Sequence, residues 1–171
     1  MEWWHFLILA IIIVGGMMLI NRKSKAKEPY RTDYKPQTQR DVTGYDVEME
    51  KLLNKHRKSL GKPLDYVKPE ALLFKIAKEH CLYMSKNGKA SHDGSKHRVF
   101  VMRTNNAKAT GECTSHGFRN VNSFLEQYIN HKDEKGKYTH RHVIEGDFNR
   151  FGHHLLKVKK KNFDVLIMAK F

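Results

Sequence analysis

Apolar positions along the chain follow three rhythms, and each predicts a different kind of element. From Trp3 to Ile20 about 18 residues pass without a charged side chain. At 1.5 Å per residue this is near the lower limit for crossing ~30 Å of hydrocarbon. Trp3 and Trp4 sit where an interfacial aromatic belt would place them. Residues 1–21 are therefore expected to form a single-pass transmembrane anchor. A cleaved signal peptide would want a positive n-region and a small-x-small cleavage site, and neither is evident. Residues 22–44 are polar, carry Pro29 and Pro36 and show no period, which predicts an extended, flexible basic linker.

From Tyr45 the rhythm is helical. Val47, Met49, Leu52, Leu53, His56 and Leu60 recur at helical spacing until Gly61 and Pro63 stop them. A second helix is expected to open at Pro69, a favoured first-turn residue, with Glu70 beside the positive end of the dipole. Its stripe is Leu72, Leu73, Ile76, Ala77, His80, Cys81 and Met84, and Asn87-Gly88 supplies a C-terminal cap. Lys89 to Arg98 reads as loop, and Val99-Phe100-Val101-Met102 as either a strand or a helical turn. Asn120 to His131 predicts a third helix, capped by Asn120 or Asn122, with Val121, Phe124, Leu125, Tyr128 and Ile129 inward. His140 to Gly146 predicts a short fourth.

The last twenty residues change period. Gly152–Val158 and Phe163–Phe171 read as strands joined by a Lys- and Asn-rich turn. Phe163, Val165, Ile167 and Ala169 share one face of the final strand, and Leu166 and Met168 the other. Apolar residues on both faces imply a sheet covered on both sides by helices, hence a layered mixture of α and β. Residues 45–171 suffice for one domain with a substantial core and are too short for two.

Composition adds charge to this picture. The chain has 171 residues and a formal net charge of +14. Arg22, Lys23, Lys25 and Lys27 follow the anchor, and Lys157 to Lys161 form a second run. Such a balance favours anionic lipid headgroups, anionic envelope polymers or nucleic acid. Neither a ribonucleoprotein signature nor finger-type Cys/His spacing accompanies it, so nucleic acid is disfavoured. The flanks of the anchor point the domain to the cytoplasm, because the positive residues follow it. Cys81 and Cys113 either pair in an oxidising compartment or stay as buried small hydrophobes.

Several polar residues sit where core logic does not need them. Ser91-His92-Asp93-Gly94 follows the second helix, Gly111-Glu112-Cys113 reads as loop, and Thr139-His140-Arg141 precedes Val143-Ile144-Glu145-Gly146-Asp147-Phe148. Together with Asn54-x-His56-Arg57-x-x-Leu60-Gly61 and His80-Cys81-x-x-Met84, these resemble the motifs of the CAP superfamily of cysteine-rich secretory, antigen 5 and pathogenesis-related proteins. The likeness is to its compact bacterial-type members and spans about Tyr45 to Phe171. Ser91-His92 resembles the Ser-His motif, Gly111-Glu112 the Gly-Glu-Asn motif, and His140-Arg141-x-x-Ile144 the late His-Arg-x-x-Ile block. Cys113 replaces the usual Asn, Tyr128 stands where Trp is common, and Lys132 to Thr139 reads as an insertion.

The resemblance implies an α+β fold, a three-layer α/β/α sandwich, and a cleft into which His92, Glu112 and His140 converge. Glu126 is the nearest candidate for the second cleft carboxylate of many eukaryotic members. In some members the cleft holds zinc or another divalent cation, and two imidazoles with a carboxylate are chemically suited to it. It also implies an outward-facing domain, against the charge argument. Three functions stay open. One is a binding module offering the His/Glu cleft to a protein or small ligand. Another is a metal-dependent hydrolase of peptide or envelope material, with His92, Glu112 and His140 as the candidate catalytic groups. The last is a charge-driven lipid or polyanion binder. A thiol nucleophile at Cys113 or a Ser91–His92 pair lacks any supporting motif.

Overall fold

The structure is a computed structural model that describes residues 44–61 and 66–171. The expected anchor, and all of the expected linker but Gly44, lie outside the described residues. Among the described residues no helix is long and apolar enough to cross a membrane.

Helix α1 runs Gly44–Ser59, strand β1 Lys68–Pro69, α2 Ala71–Asn87, α3 Ser95–Thr104 and β2 Ala109–His116. They are followed by α4 Val121–Asn130, α5 Arg141–Ile144, β3 Arg150–Val158 and β4 Lys161–Lys170. The sheet has the order β1-β3-β4-β2, antiparallel except for the short parallel pairing of β1 with β3. It is an α+β fold with a mixed sheet between helices.

The final strand organises the molecule. Phe163, Val165, Ile167 and Ala169 join Leu72, Leu73, Ile76, Ala77 and Met84 of α2 and Met102 of α3 in one core. Leu166 and Met168 join Met49 and Leu53 of α1, Phe124, Leu125 and Tyr128 of α4, and Val143 and Ile144 of α5 in another. Helices thus cover both faces, as the two-sided apolar pattern of β4 requires. Helix α2 lies so close to β3 that a Cβ on Gly152 would collide with the backbone of Leu73 and Phe74.

Three expectations are corrected. Pro69 is in a strand, not the first turn of a helix. The N–H groups of Lys68 and Glu70 bond the carbonyls of Asn149 and Phe151, and the missing N–H of proline falls between them, where this ladder needs no donor. The loop expected to Arg98 ends at Gly94, and Ser95–Thr104 is one helix. Its buried positions are Arg98 and Met102, so a charged residue occupies half of the inner stripe. Gly111-Glu112-Cys113 is not loop but the middle of β2, registered on Met168, Ile167 and Leu166.

One tie was not foreseen. Arg57, almost fully buried, donates to the carbonyls of Ile144 (2.9 Å), Gly146 (2.8 Å) and Phe148 (3.0 Å). The guanidinium of α1 thereby fastens the segment that follows α5.

Candidate functional site

The end of α2, the start of α3 and strand β2 meet around one carboxylate. Gly88, at φ 71°, terminates α2 in the left-handed conformation that glycine tolerates, and the chain turns through Ser91-His92-Asp93 into α3. From the inner face of α3, Arg98 grips Glu112 with two bonds, Nε to Oε2 at 2.6 Å and a terminal nitrogen to Oε1 at 2.6 Å. Its other terminal nitrogen donates to the Asp93 carbonyl at 2.7 Å. His92 donates from Nδ1 to the same Oε1 at 2.7 Å, which leaves its Nε2 as the outward nitrogen. Arg98 is buried, whereas the His92 side chain is 51% exposed and forms the visible part of the site.

His80, fully buried on α2, donates from Nε2 to the Ser91 carbonyl at 2.7 Å and stands 4.0 Å from Glu112. Burial and the Arg98 charge lower its pKa. The carboxylate of Glu112 would be raised by burial, but hydrogen bonds from His92 and Arg98 and the Arg98 charge reverse this and hold it at about 2. The group is an anion at every physiological pH, with both oxygens bonded to protein donors.

From the other side comes His140, at the start of α5. Its ring meets the edge of Tyr128 (5.3 Å between centroids) and lies 5.9 Å from His92 and 6.4 Å from His131. The Thr139 hydroxyl stands between His131 Nδ1 (2.9 Å) and His140 Nδ1 (3.2 Å). One hydroxyl proton serves only one of them, so the second bond must be donated by an imidazole. Burial, with His92, His131 and His142 nearby, lowers the His140 pKa to about 4, so it is a neutral imidazole at pH 7.

The stretch Lys132–Thr139 is a closed hairpin. Lys132 bridges to Tyr138, Asp133 accepts from the Lys135 and Lys137 amides at 2.9 Å, and Thr139 N bonds the His131 carbonyl. The Tyr138 ring lies between Lys132 Nζ (4.6 Å to its centroid) and Arg141 Cζ (3.4 Å). Its closure brings His131 beside His140.

The structure therefore gathers His92, Glu112 and His140, as the motifs implied. Glu126 lies on the exposed face of α4, where it accepts a bond from Asn122 at 2.7 Å and contributes no carboxylate to this group. His80 and His131 are participants whose parts the sequence did not assign. Arg98 stands where an arginine often follows the Ser-His motif of the resembled family, and the structure puts it on the inner face of α3. Cys113 is not a poised nucleophile: burial, with Asp164 and Glu112 nearby, pushes its thiol pKa well above the usual value. Cys81 and Cys113 are both free and buried, in the cores on opposite faces of the sheet, so they do not pair. Ser91 meets His80 through its carbonyl, its hydroxyl accepts from the Asp93 amide, and the His92 Nδ1 is turned to Glu112.

A catalytic zinc centre needs three protein ligands and an open position. Here Glu112 is already held by three donor atoms, and among the described residues no group of three or more His, Cys, Asp or Glu side chains could hold a metal ion. The residues present do not fit such a centre.

A model of the CAP, or cysteine-rich secretory protein, family matches residues 50–169. An outer surface protein from Borrelia burgdorferi is similar in structure, with a TM-score of 0.62, 18% identity, and coverage of 77% of this chain and 96% of that one. A cysteine-rich secretory protein from Staphylococcus aureus gives 0.55 and 17%, covering 80% of this chain and 43% of that one. An extracellular protein containing an SCP domain from Bacillus anthracis gives 0.57 and 17%, covering 73% and 40%. The match thus spans less than half the length of the latter two. These likenesses concern the fold. No curated protein matches the chain.

Proposed function

The chain belongs to the cysteine-rich secretory protein (CAP) family, and from that premise we propose that its domain is a binding module rather than a hydrolase. The observation that carries this reading is the state of Glu112. A general acid or base must exchange a proton near the working pH. A carboxylate gripped by Arg98, bonded by His92 and held at a pKa of about 2 positions its neighbours instead. What faces the ligand is the outward Nε2 of His92, with the neutral imidazole of His140 beside it, His131 flanking it and the buried Tyr128 ring behind it. Two imidazoles, that of His140 neutral, offer hydrogen bonds and flat faces, which suits a polar peptide or small envelope ligand. A divalent cation could meet only His92 and His140 here, two nitrogens rather than three ligands, so no reaction step is assigned to one.

The module is read as tethered by Trp3–Ile20 with its domain on the outer side. The family's secretory character supports that side. Two buried, unreactive thiols also suit an oxidising setting, since neither can be drawn into a disulfide without unfolding. Protease added to intact cells should then remove the domain, whereas full protection would place it in the cytoplasm.

The binding reading is tested on the full chain in detergent, with imidazole NMR signals followed during titration with soluble peptides and cell-wall glycopeptides. Shifts at His92 and His140 without cleavage products are expected. Product accumulating with the wild type, and lost in a Glu112→Gln variant of unchanged circular dichroism, would establish the hydrolase instead.

A further inference from the structure

We infer that the tip of the β3–β4 hairpin, Lys157 to Lys161, is a second docking site, directed at an anionic bilayer surface. The tip projects beyond the sheet. Strand β2 ends at His116, opposite Phe163, and β1 pairs only with Arg150 and Phe151. The last pairs of the hairpin, Lys157 with Asn162 and Val158 with Lys161, therefore have no neighbouring strand. Asn162 holds the base of the tip by donating to the carbonyls of Phe118 (2.6 Å) and Arg119 (3.3 Å).

Four of the five residues at this tip are lysines, all exposed, and among the described residues no ion pair engages them. A solvated face usually intersperses signs; this one carries a single sign. Lys159 is also at φ 54°, the left-handed region where a two-residue hairpin turn favours glycine or asparagine. A charge is thus kept at a position where backbone strain argues against a lysine. Val158 decides between kinds of anion. It is 36% exposed, the one apolar side chain among the lysines, and Lys161 lies directly across from it. An apolar residue ringed by ammonium groups fits a headgroup boundary, where the lysines meet phosphate and the valine meets acyl chain. A soluble polyanion has no use for it.

The test uses the full chain reconstituted in vesicles, with an environment-sensitive fluorophore on Lys160→Cys, since Cys81 and Cys113 are buried. The inference rests on the tether only to keep the domain near the surface. Retention of the chain on vesicles at about 1 M salt reports the tether separately. With phosphatidylcholine containing about one third phosphatidylglycerol, a headgroup-attached quencher should quench the label strongly. Pure phosphatidylcholine or about 1 M salt should largely remove the effect. Reversing Lys157 and Lys161 to Glu should weaken docking by at least about tenfold, given that each lysine near the surface counts roughly fivefold. Val158→Ser should also weaken it. Lys159→Gly should weaken docking while leaving the fold as stable or more so. Equal quenching in neutral and anionic vesicles would overturn the proposal. So would a label that responds to dextran sulfate but not to anionic lipid, which would assign the tip to a polymer.

Discussion

Arg98 is a guanidinium withdrawn almost completely from water, and such a charge is tolerable only while its partner is in place. Glu112 accepts two bonds from it and the Asp93 carbonyl another. Removing the carboxylate takes away the charged partner of a buried cation, so Glu112→Ala should cost about 3–5 kcal/mol, as for other broken buried pairs. Glu112→Gln should cost less, because its amide oxygen still accepts one bond. Urea unfolding of the full chain in detergent checks both; losses under about 1 kcal/mol would mean that the pair is not a structural centre. A second residue-scale test concerns space rather than charge. Gly152→Ala places a methyl group against the Leu73–Phe74 backbone, which cannot rotate away as a side chain can. The strand and helix must part, and a loss of about 3 kcal/mol or more is expected in the same assay.

Among the elements, those with an apolar inner stripe were legible in the sequence and those with a charged one were not. Strand β4 could be read to the register of each face because Phe163, Val165, Ile167 and Ala169 alternate with Leu166 and Met168, and both sets found a core. Helix α4 was legible for its stripe and its Asn120 cap, which accepts from the Ser123 amide at 2.9 Å. Helix α3 and strand β2 were missed together, for one reason. Helix α3 buries Arg98 beside Met102, and β2 turns Thr114 and Ser115 inward with Cys113 and sets Glu112 against Arg98, so a pattern of apolar positions registers neither element, nor an ion pair formed across 14 residues of chain. The site shows the same division: the positions of His92, Arg98, Glu112 and His140 came from motif resemblance, but the grip of Arg98 on the carboxylate and the hairpin that brings His131 did not. Arg57 belongs at this scale too, because it joins α1 to the segment after α5. Arg57→Met fills the space but takes a donor from the carbonyls of Ile144 and Phe148, Gly146 keeping that of the Phe148 N–H, at about 1–3 kcal/mol for each that stays dry. Hydrogen exchange at residues 144–149 should accelerate well before exchange in β4 does, and uniform acceleration would mean that the arginine supports the whole fold rather than this joint.

For the whole molecule the buried imidazoles set an acid limit. Burial and neighbouring histidines lower His140 to about 4; burial, His153 and Lys78 do the same for His154, and His80 is lowered as well. In each the folded pKa lies below the ordinary value near 6.5, so the unfolded chain binds protons first as pH falls. Stability is then fully present above about pH 6.5, declines between 6.5 and about 4, and below that the loss from these groups is complete. Glu112 is depressed too, and its contribution persists to lower pH, failing only between about 4.5 and 2. Two acid steps should therefore separate, the first from histidines and the second from the carboxylate. His140 and His154 are each partly solvated, so about 1 kcal/mol apiece is a fair allowance after screening. With His80 added, the melting temperature should fall by on the order of 10 °C between pH 7 and pH 4.5. Combining His140→Gln with His154→Gln should remove most of that slope while leaving the lower step, because neither variant touches the Arg98–Glu112 pair. An unaltered slope in the double variant would instead assign the acid sensitivity to the remaining imidazoles or to the charge of +14 growing as carboxylates protonate.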